Sequence, residues 1–182
     1  KRSKFIHYSP NILLINNIEF DHADIFNDLD EIKKQFHHLL KIIPSSGKII
    51  LFNHDKNALD VINKGCWADI IEINGDASRA SFDSSSSKIK FDGNSVYIND
   101  LPFYGSHNNL NAAAAIISAA SYGINLNLAH NGLKDFSGVL RRLEEKGTFS
   151  GITILDDFAH HPTAIKSTIQ AVQEKYNGKN IL

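Results

Sequence analysis

The sequence predicts an α/β protein whose first part is a parallel sheet covered by helices. Three observations predict it. Short apolar runs rich in β-branched residues recur at residues 11–17, 48–53 and 69–73, and they read as buried strands. Between the first two, Ile32, Phe36, Leu39, Leu40 and Ile43 recur at spacings of three and four, the stripe of a helix that buries one face. Strand, helix, strand, helix, strand in that order argues for right-handed crossovers joining parallel strands.

Taken in order, residues 1–10 form a basic, irregular lead-in. The first strand runs directly into Ile18-Glu19-Phe20-Asp21-His22-Ala23-Asp24, which reads as a second strand end crowded with acids and one imidazole. A helix over residues 29–43 is stopped by the turn at residues 44–47. A second helix is expected near residues 57–63. Beyond the third strand the pattern changes. The serine-rich stretch 76–87 reads as a loop, and Lys88-Ile89-Lys90-Phe91 and Val96-Tyr97-Ile98 flank Asp92-Gly93-Asn94, the signal of an antiparallel hairpin. An alanine-rich helix, opened by His107, Asn108 and Asn111, then runs to about Tyr122, with Gly123 as its C′ residue, and a further helix covers residues 126–134. A domain boundary is placed at Gly138, dividing the chain into 1–138 and 139–182. The second part reads as a βαβ unit: a buried parallel strand at residues 152–155, a helix at 163–176, and a strand at 180–182. A βαβ piece of this size is a poor core on its own, so the rest of that domain is expected to lie elsewhere in a longer protein.

Composition excludes several classes. Of 182 residues, 42% are apolar and 21% charged, with a net charge of −1. That is a globular balance, and it gives no electrostatic reason to expect nucleic-acid or membrane partners. No apolar run approaches a membrane span, and no signal peptide opens the chain. Cys66 is the single cysteine; it excludes an internal disulfide and fits a reducing, cytoplasmic compartment. The sequence contains no methionine, which suggests that it does not start at a natural N-terminus.

Polar clusters stand where such a fold would use them. In an open α/β sheet, ligands sit outside the carboxyl ends of the strands. Asp156, Asp157, His160 and His161 follow the strand at 152–155, and Pro162 suits the first turn of the next helix, whose free N–H groups favour negative charge. Asp21, His22 and Asp24 follow the first strand; carboxylates suit a hard cation such as Mg²⁺ and an imidazole can complete its shell. Asn108 and Asn111 lie on one helical face, and carboxamides, which both donate and accept, suit the edge of a purine. Arg141 and Arg142 stand at the proposed joint, where a guanidinium can grip phosphate oxygens. Each cluster also reads as helix capping or surface salt-bridging. Neither a G-x-x-x-x-G-K-[ST] phosphate loop nor a G-x-G-x-x-G turn occurs. The residues alone therefore leave open an enzyme fragment and a non-catalytic nucleotide-binding module.

In their order and spacing, Asn17-Ile18-Glu19-Phe20-Asp21-His22-Ala23-Asp24, Gly105-Ser106-His107-Asn108-Asn109-Leu110-Asn111-Ala112-Ala113-Ala114, Arg141-Arg142-Leu143-Glu144 and Asp156-Asp157-Phe158-Ala159-His160-His161-Pro162 resemble the signatures of the Mur ligases. Together with Gln35-Phe36-His37-His38-Leu39, they look most like the members that join UDP-N-acetylmuramate to the tripeptide L-alanyl-γ-D-glutamyl-meso-diaminopimelate, with the L-alanine-adding members next. The resemblance implies the rear of a central ATPase domain followed by the opening of a Rossmann-like C-terminal domain that receives the amino substrate. It further implies that the phosphate loop and an upstream Mg²⁺-binding glutamate would precede Lys1. By position, His22 resembles the imidazole ligand of a second Mg²⁺, Asn108 and Asn111 the adenine contacts, Arg142 the nucleotide-binding arginine and Asp157 the acid that meets the ribose. His160 and His161 belong to the shared catalytic motif. Some members carry a carbamoylated lysine after the metal histidine, and His37 stands at the corresponding position here. The implied activity is an ATP- and Mg²⁺-dependent ligase acting through an acyl phosphate, with this piece inactive alone.

Overall fold

Three parallel strands, β1 (Ile12–Ile15), β2 (Lys48–Phe52) and β3 (Asp69–Ile73), pair in the order β1-β2-β3. Side chains alternate across a strand, and here both faces are buried. Ile49 and Leu51 join Ile15 against α1 (Leu29–Leu40) and α2 (Lys56–Asn63). Ile50 and Phe52 join Ile71 and Ile73 against α3 (Ser106–Ser121). The small side chains Ala112, Ala113 and Ala114 let α3 lie close on the sheet, and Lys48 Nζ donates to the Ser121 carbonyl at its far end. The computed structural model describes residues 3–76 and 78–182; Lys1 and Arg2 of the lead-in, and Ala77, lie outside the described residues.

A second, antiparallel sheet packs on the α3 side: β4 (Ala80–Asp83), β5 (Lys88–Phe91) and β6 (Asn94–Tyr97). The expected hairpin is β5–β6. Strand β4 falls inside the stretch read as a loop, because its alternation, Ala80 and Phe82 buried against Ser81 and Asp83, is two apolar residues long among serines. The short helix α4 (Leu126–Asn131) follows, ending earlier than the periodicity suggests. In the lead-in, residues 4–7 form a single 3-10 turn capped by Ser3.

Beyond residue 138 the chain departs most from expectation. The strand at Ile152 is not a buried parallel one. Strands β7 (Glu144–Phe149) and β8 (Ile152–Asp156) form an antiparallel hairpin, and Ile152 is 61% exposed. The turn residues Ser150 and Gly151 both have positive φ, as tight hairpin turns of the primed kind require. Strand β7, Glu-Glu-Lys-Gly-Thr-Phe, carries no apolar alternation and so gave no strand signal. Helix α5 (Pro162–Lys175) follows as expected, but residues 180–182 form no strand: among the described residues no strand pairs with them. The second part is thus a hairpin and a helix rather than a βαβ unit. It rests on the first where Gly105, at φ +88, meets Ala171 of α5; a Cβ on Gly105 would come within 2.5 Å of the Ala171 Cβ.

Candidate active site

The carboxyl ends of β1 and β2, the start of α3, and the segments flanking β7 and β8 enclose one cleft of about 1580 Å³. His22, Asn108, Asn111, Arg142, Asp157, His160 and His161 all line it. Residues from four segments spread over most of the chain therefore share one hollow, in the position where α/β sheets take ligands.

On the strand side, residues 18–24 do not form the expected strand end. Asp55, the N-cap of α2, accepts from Asn57 and Ala58 N–H and also from Ile18 N–H at 2.8 Å; Asn57 Nδ2 donates to the Ile18 carbonyl at 2.8 Å. This pins the backbone just before Glu19 and commits Ile18 to side-chain partners instead of a ladder. His22 follows in the left-handed region, φ 57. Its N–H donates to Asp21 Oδ1 at 2.7 Å, the first cause of the lowered Asp21 pKa, and the imidazoles of His22, His160 and His161 add to it. The His22 ring stays exposed. Among the described residues, no group of three or more His, Cys, Asp or Glu side chains is placed to hold a metal ion. The imidazole and the neighbouring carboxylate fit part of a hard cation's shell, the rest of which needs oxygens from a bound substrate.

On α3, Asn108 Nδ2 donates to the Tyr104 carbonyl at 2.9 Å, and Asn111 Oδ1 accepts from Asn16 Nδ2 at 2.7 Å. Between them and α5 sits His107, whose Nδ1 is buried with no hydrogen-bond partner among the described residues. Burial lowers its pKa; Asp157 opposes this and Arg142 reinforces it. The ring packs beside Gly105.

The second wall is held by Asp157. Its Oδ2 accepts from Leu143 N–H at 2.8 Å, and its Oδ1 from Ala159 N–H at 2.7 Å and Thr168 Oγ1 at 3.3 Å. These bonds fold the 141–143 loop, with Arg141 and Leu143 at positive φ, onto the β8–α5 turn. Arg141 lies over the Phe158 ring, 4.7 Å from its centroid, so its guanidinium is engaged there. The Arg142 side chain makes no ion pair among the described residues and lines the cleft. His160 Nδ1 contacts the Phe158 carbonyl at 2.8 Å. His161 crosses to the opposite wall: Nε2 is 3.1 Å from the Phe20 carbonyl and Nδ1 3.4 Å from Glu19 Oε2. As N-cap of α5 it uses no side-chain cap, which leaves first-turn N–H groups of Thr163 and Ala164 available at the cleft.

His37, by contrast, does not line the cleft. It faces the Val61 carbonyl of α2, and burial lowers its pKa; the α1 residues at the cleft are Ile32, Gln35 and Phe36. Sequence reading missed Asn16 and the aromatic wall made by Phe103 and Phe136, packed edge to face at 5.7 Å. A carboxamide at the carboxyl end of the first strand was the available signal for Asn16.

The fold is that of a ligase family. The family profile described as the Mur ligase middle domain matches residues 1–119, and the one described as Mur ligase, glutamate ligase domain, matches residues 141–182; the chain belongs to the Mur ligases. Among curated relatives, it is 43% identical to the UDP-N-acetylmuramate–L-alanyl-γ-D-glutamyl-meso-2,6-diaminoheptandioate ligase of Escherichia coli K12, over 98% of this chain and 40% of that protein. It is 37% identical to the UDP-N-acetylmuramate–L-alanine ligase of Clostridium acetobutylicum, again over 98% of this chain and 40% of that one. Among solved structures, a murein peptide ligase from Psychrobacter arcticus superposes with a TM-score of 0.74 at 35% identity, covering 98% of this chain and 38% of that chain. The chain thus spans about two-fifths of the length of the relatives it matches.

Proposed function

We propose that the whole protein is the ATP-dependent ligase that joins L-alanyl-γ-D-glutamyl-meso-diaminopimelate to UDP-N-acetylmuramate in peptidoglycan recycling. Residues 1–138 would be the rear of its ATP-binding domain and 139–182 the opening of its acceptor domain. The observation that carries this reading is the convergence of His22, Asn108, Asn111, Arg142 and Asp157 on one cleft, set beside the similarity to tripeptide ligases.

The chemistry proposed is the one the family resemblance implies, read onto these residues. The muramyl carboxylate oxygen attacks the γ-phosphorus of ATP, ADP leaves, and the tripeptide amine then attacks the acyl carbon and expels phosphate. Asn108 and Asn111 would hold the base, Arg142 would face the phosphates, and His22 would supply one ligand to Mg²⁺, which would neutralise phosphoryl charge. Asp157 meets the nucleotide ribose while ordering the loop that carries Arg142. His161, bridging to Glu19 and Phe20, keeps the two walls together and so excludes water from the acyl phosphate. No helix among the described residues is long and apolar enough to cross a membrane, and the nucleotide and sugar substrates suit a cytoplasmic enzyme with neither membrane nor nucleic-acid partners.

The test is an assay of the full-length protein for release of ADP and phosphate with UDP-N-acetylmuramate, MgATP and either the tripeptide or free L-alanine. Turnover with the tripeptide is expected, and none from the 182-residue chain alone. Preference for L-alanine assigns the protein to the alanine ligases instead. No turnover with either acceptor favours a non-catalytic nucleotide-binding module.

A further inference from the structure

Asn16 stands exposed at the carboxyl end of β1 and is not itself among the residues the family resemblance singles out. Its Nδ2 reaches the first turns of α3 and donates to Asn111 Oδ1 at 2.7 Å. One turn earlier, Asn108 Nδ2 is committed to the Tyr104 carbonyl at 2.9 Å. A carboxamide carries its donors on one arm and its acceptor on the other, so fixing one arm fixes what the other presents. Asn108 is left with an acceptor, Oδ1, and Asn111 with a donor, Nδ2; neither atom has a partner among the described residues. All three asparagines line the cleft, and Asn108 and Asn111 share a helical face.

One donor beside one acceptor is a pattern with a specific complement. Adenine offers a 6-amino donor next to a ring-nitrogen acceptor, on either edge of the base. We propose that Asn16 is a positioning residue for base recognition: it sets the polarity of the Asn111 amide, so that Asn111 Nδ2 donates to the ring nitrogen beside the 6-amino group and Asn108 Oδ1 accepts from that amino group. Asn16 itself does not touch the base. This inference rests on the reading of the cleft as an ATP site.

The two claims separate in one experiment on the full-length protein, in which binding of ATP, 1-deaza-ATP and 7-deaza-ATP is measured by calorimetry. Each analogue replaces one ring nitrogen by C–H. For the wild type, one analogue should bind about fivefold more weakly than ATP, the worth of a neutral hydrogen bond, and its identity tells which edge is read. Asn16→Asp is isosteric but can only accept, so it draws the Asn111 amino group towards itself and turns Oδ1 to the base. It should weaken ATP about fivefold and bring ATP and that analogue to within about twofold of each other. Asn16 is exposed, so the fold tolerates the change, and Asn111→Asp, which removes the donor directly, should give the same loss of discrimination. If Asn16→Asp keeps the wild-type ratio of ATP to analogue, or if neither analogue is penalised in the wild type, the proposal is overturned while the ATP site stands. If the wild type does not bind ATP, the proposed function falls and this inference with it.

Discussion

The two walls of the cleft are built by different physics. On one side, β2 is buried on both faces: Ile49, Ile50 and Leu51 are fully enclosed between α1, α2 and α3, and Asn16, Asn108 and Asn111 are carried on elements anchored in that core. On the other side, Leu143 and Ala171 are the only buried apolar side chains among the described residues. Ile152, Ile154, Ile165 and Ile169 remain exposed, and Arg142, Asp157 and His161 are placed by a few hydrogen bonds. One wall is therefore preorganised by packing and the other is docked by polar contacts. Such a wall can part from its partner at modest cost, as a ligase needs if substrates are to enter and water is then to be shut out.

Substitutions can break this contrast. The largest effect is expected from Phe52→Ala, which empties a fully buried site at the carboxyl end of β2 and should cost about 3–5 kcal/mol in chemical denaturation. The matching truncation on α5, Ile169→Ala, should cost less than about 1 kcal/mol; equal costs would erase the difference between the walls. Next comes Asp157→Ala, which strands the N–H groups of Leu143 and Ala159 at roughly 1–3 kcal/mol for each buried donor. The loss should be local, seen as faster proteolysis across residues 141–161 with the melting of the central sheet unchanged. His161→Ala is smaller still, within about 1 kcal/mol of global stability. Yet it should raise the KM for MgATP in the full-length enzyme, because it severs the contact with Glu19 and Phe20.

The smallest effect concerns pH and is read at Asp100 on the packed side. Lys134 and then His130 hold the Asp100 pKa down at about 2 from the ordinary 3.8. The folded state thus favours the ionised carboxylate, so its contribution is complete above pH 3.8 and is lost as pH falls from there towards 2. The melting temperature of wild type should drop over that window, and Asp100→Asn should flatten the drop.

What was legible in the sequence follows the same division. The parallel sheet, α1, α2, α3 and the β5–β6 hairpin could be read because a buried face imprints its period on the residues. Strand β7 could not, since Glu144, Glu145 and Gly147, with Lys146 bulged between them, join a ladder without burying a face. For the same reason β8 was given the wrong pairing: its apolar run suggested burial that the docked wall does not provide. The cleft residues were legible as short polar clusters at element ends. Their geometry was not, because bonds such as His161 to Phe20 and Asn16 to Asn111 join positions 141 and 95 residues apart. Asp157 carries a further lesson: the residue matched to the ribose by position is seen to fold the loop beside it, which no motif records.

The central claim is that both walls close on one nucleotide. Amide hydrogen exchange of the full-length protein, with and without MgATP, tests it most directly. Slowed exchange at residues 16–22 and 105–111 together with residues 141–161 is the predicted result; slowing confined to one wall, or absent from both, would contradict it.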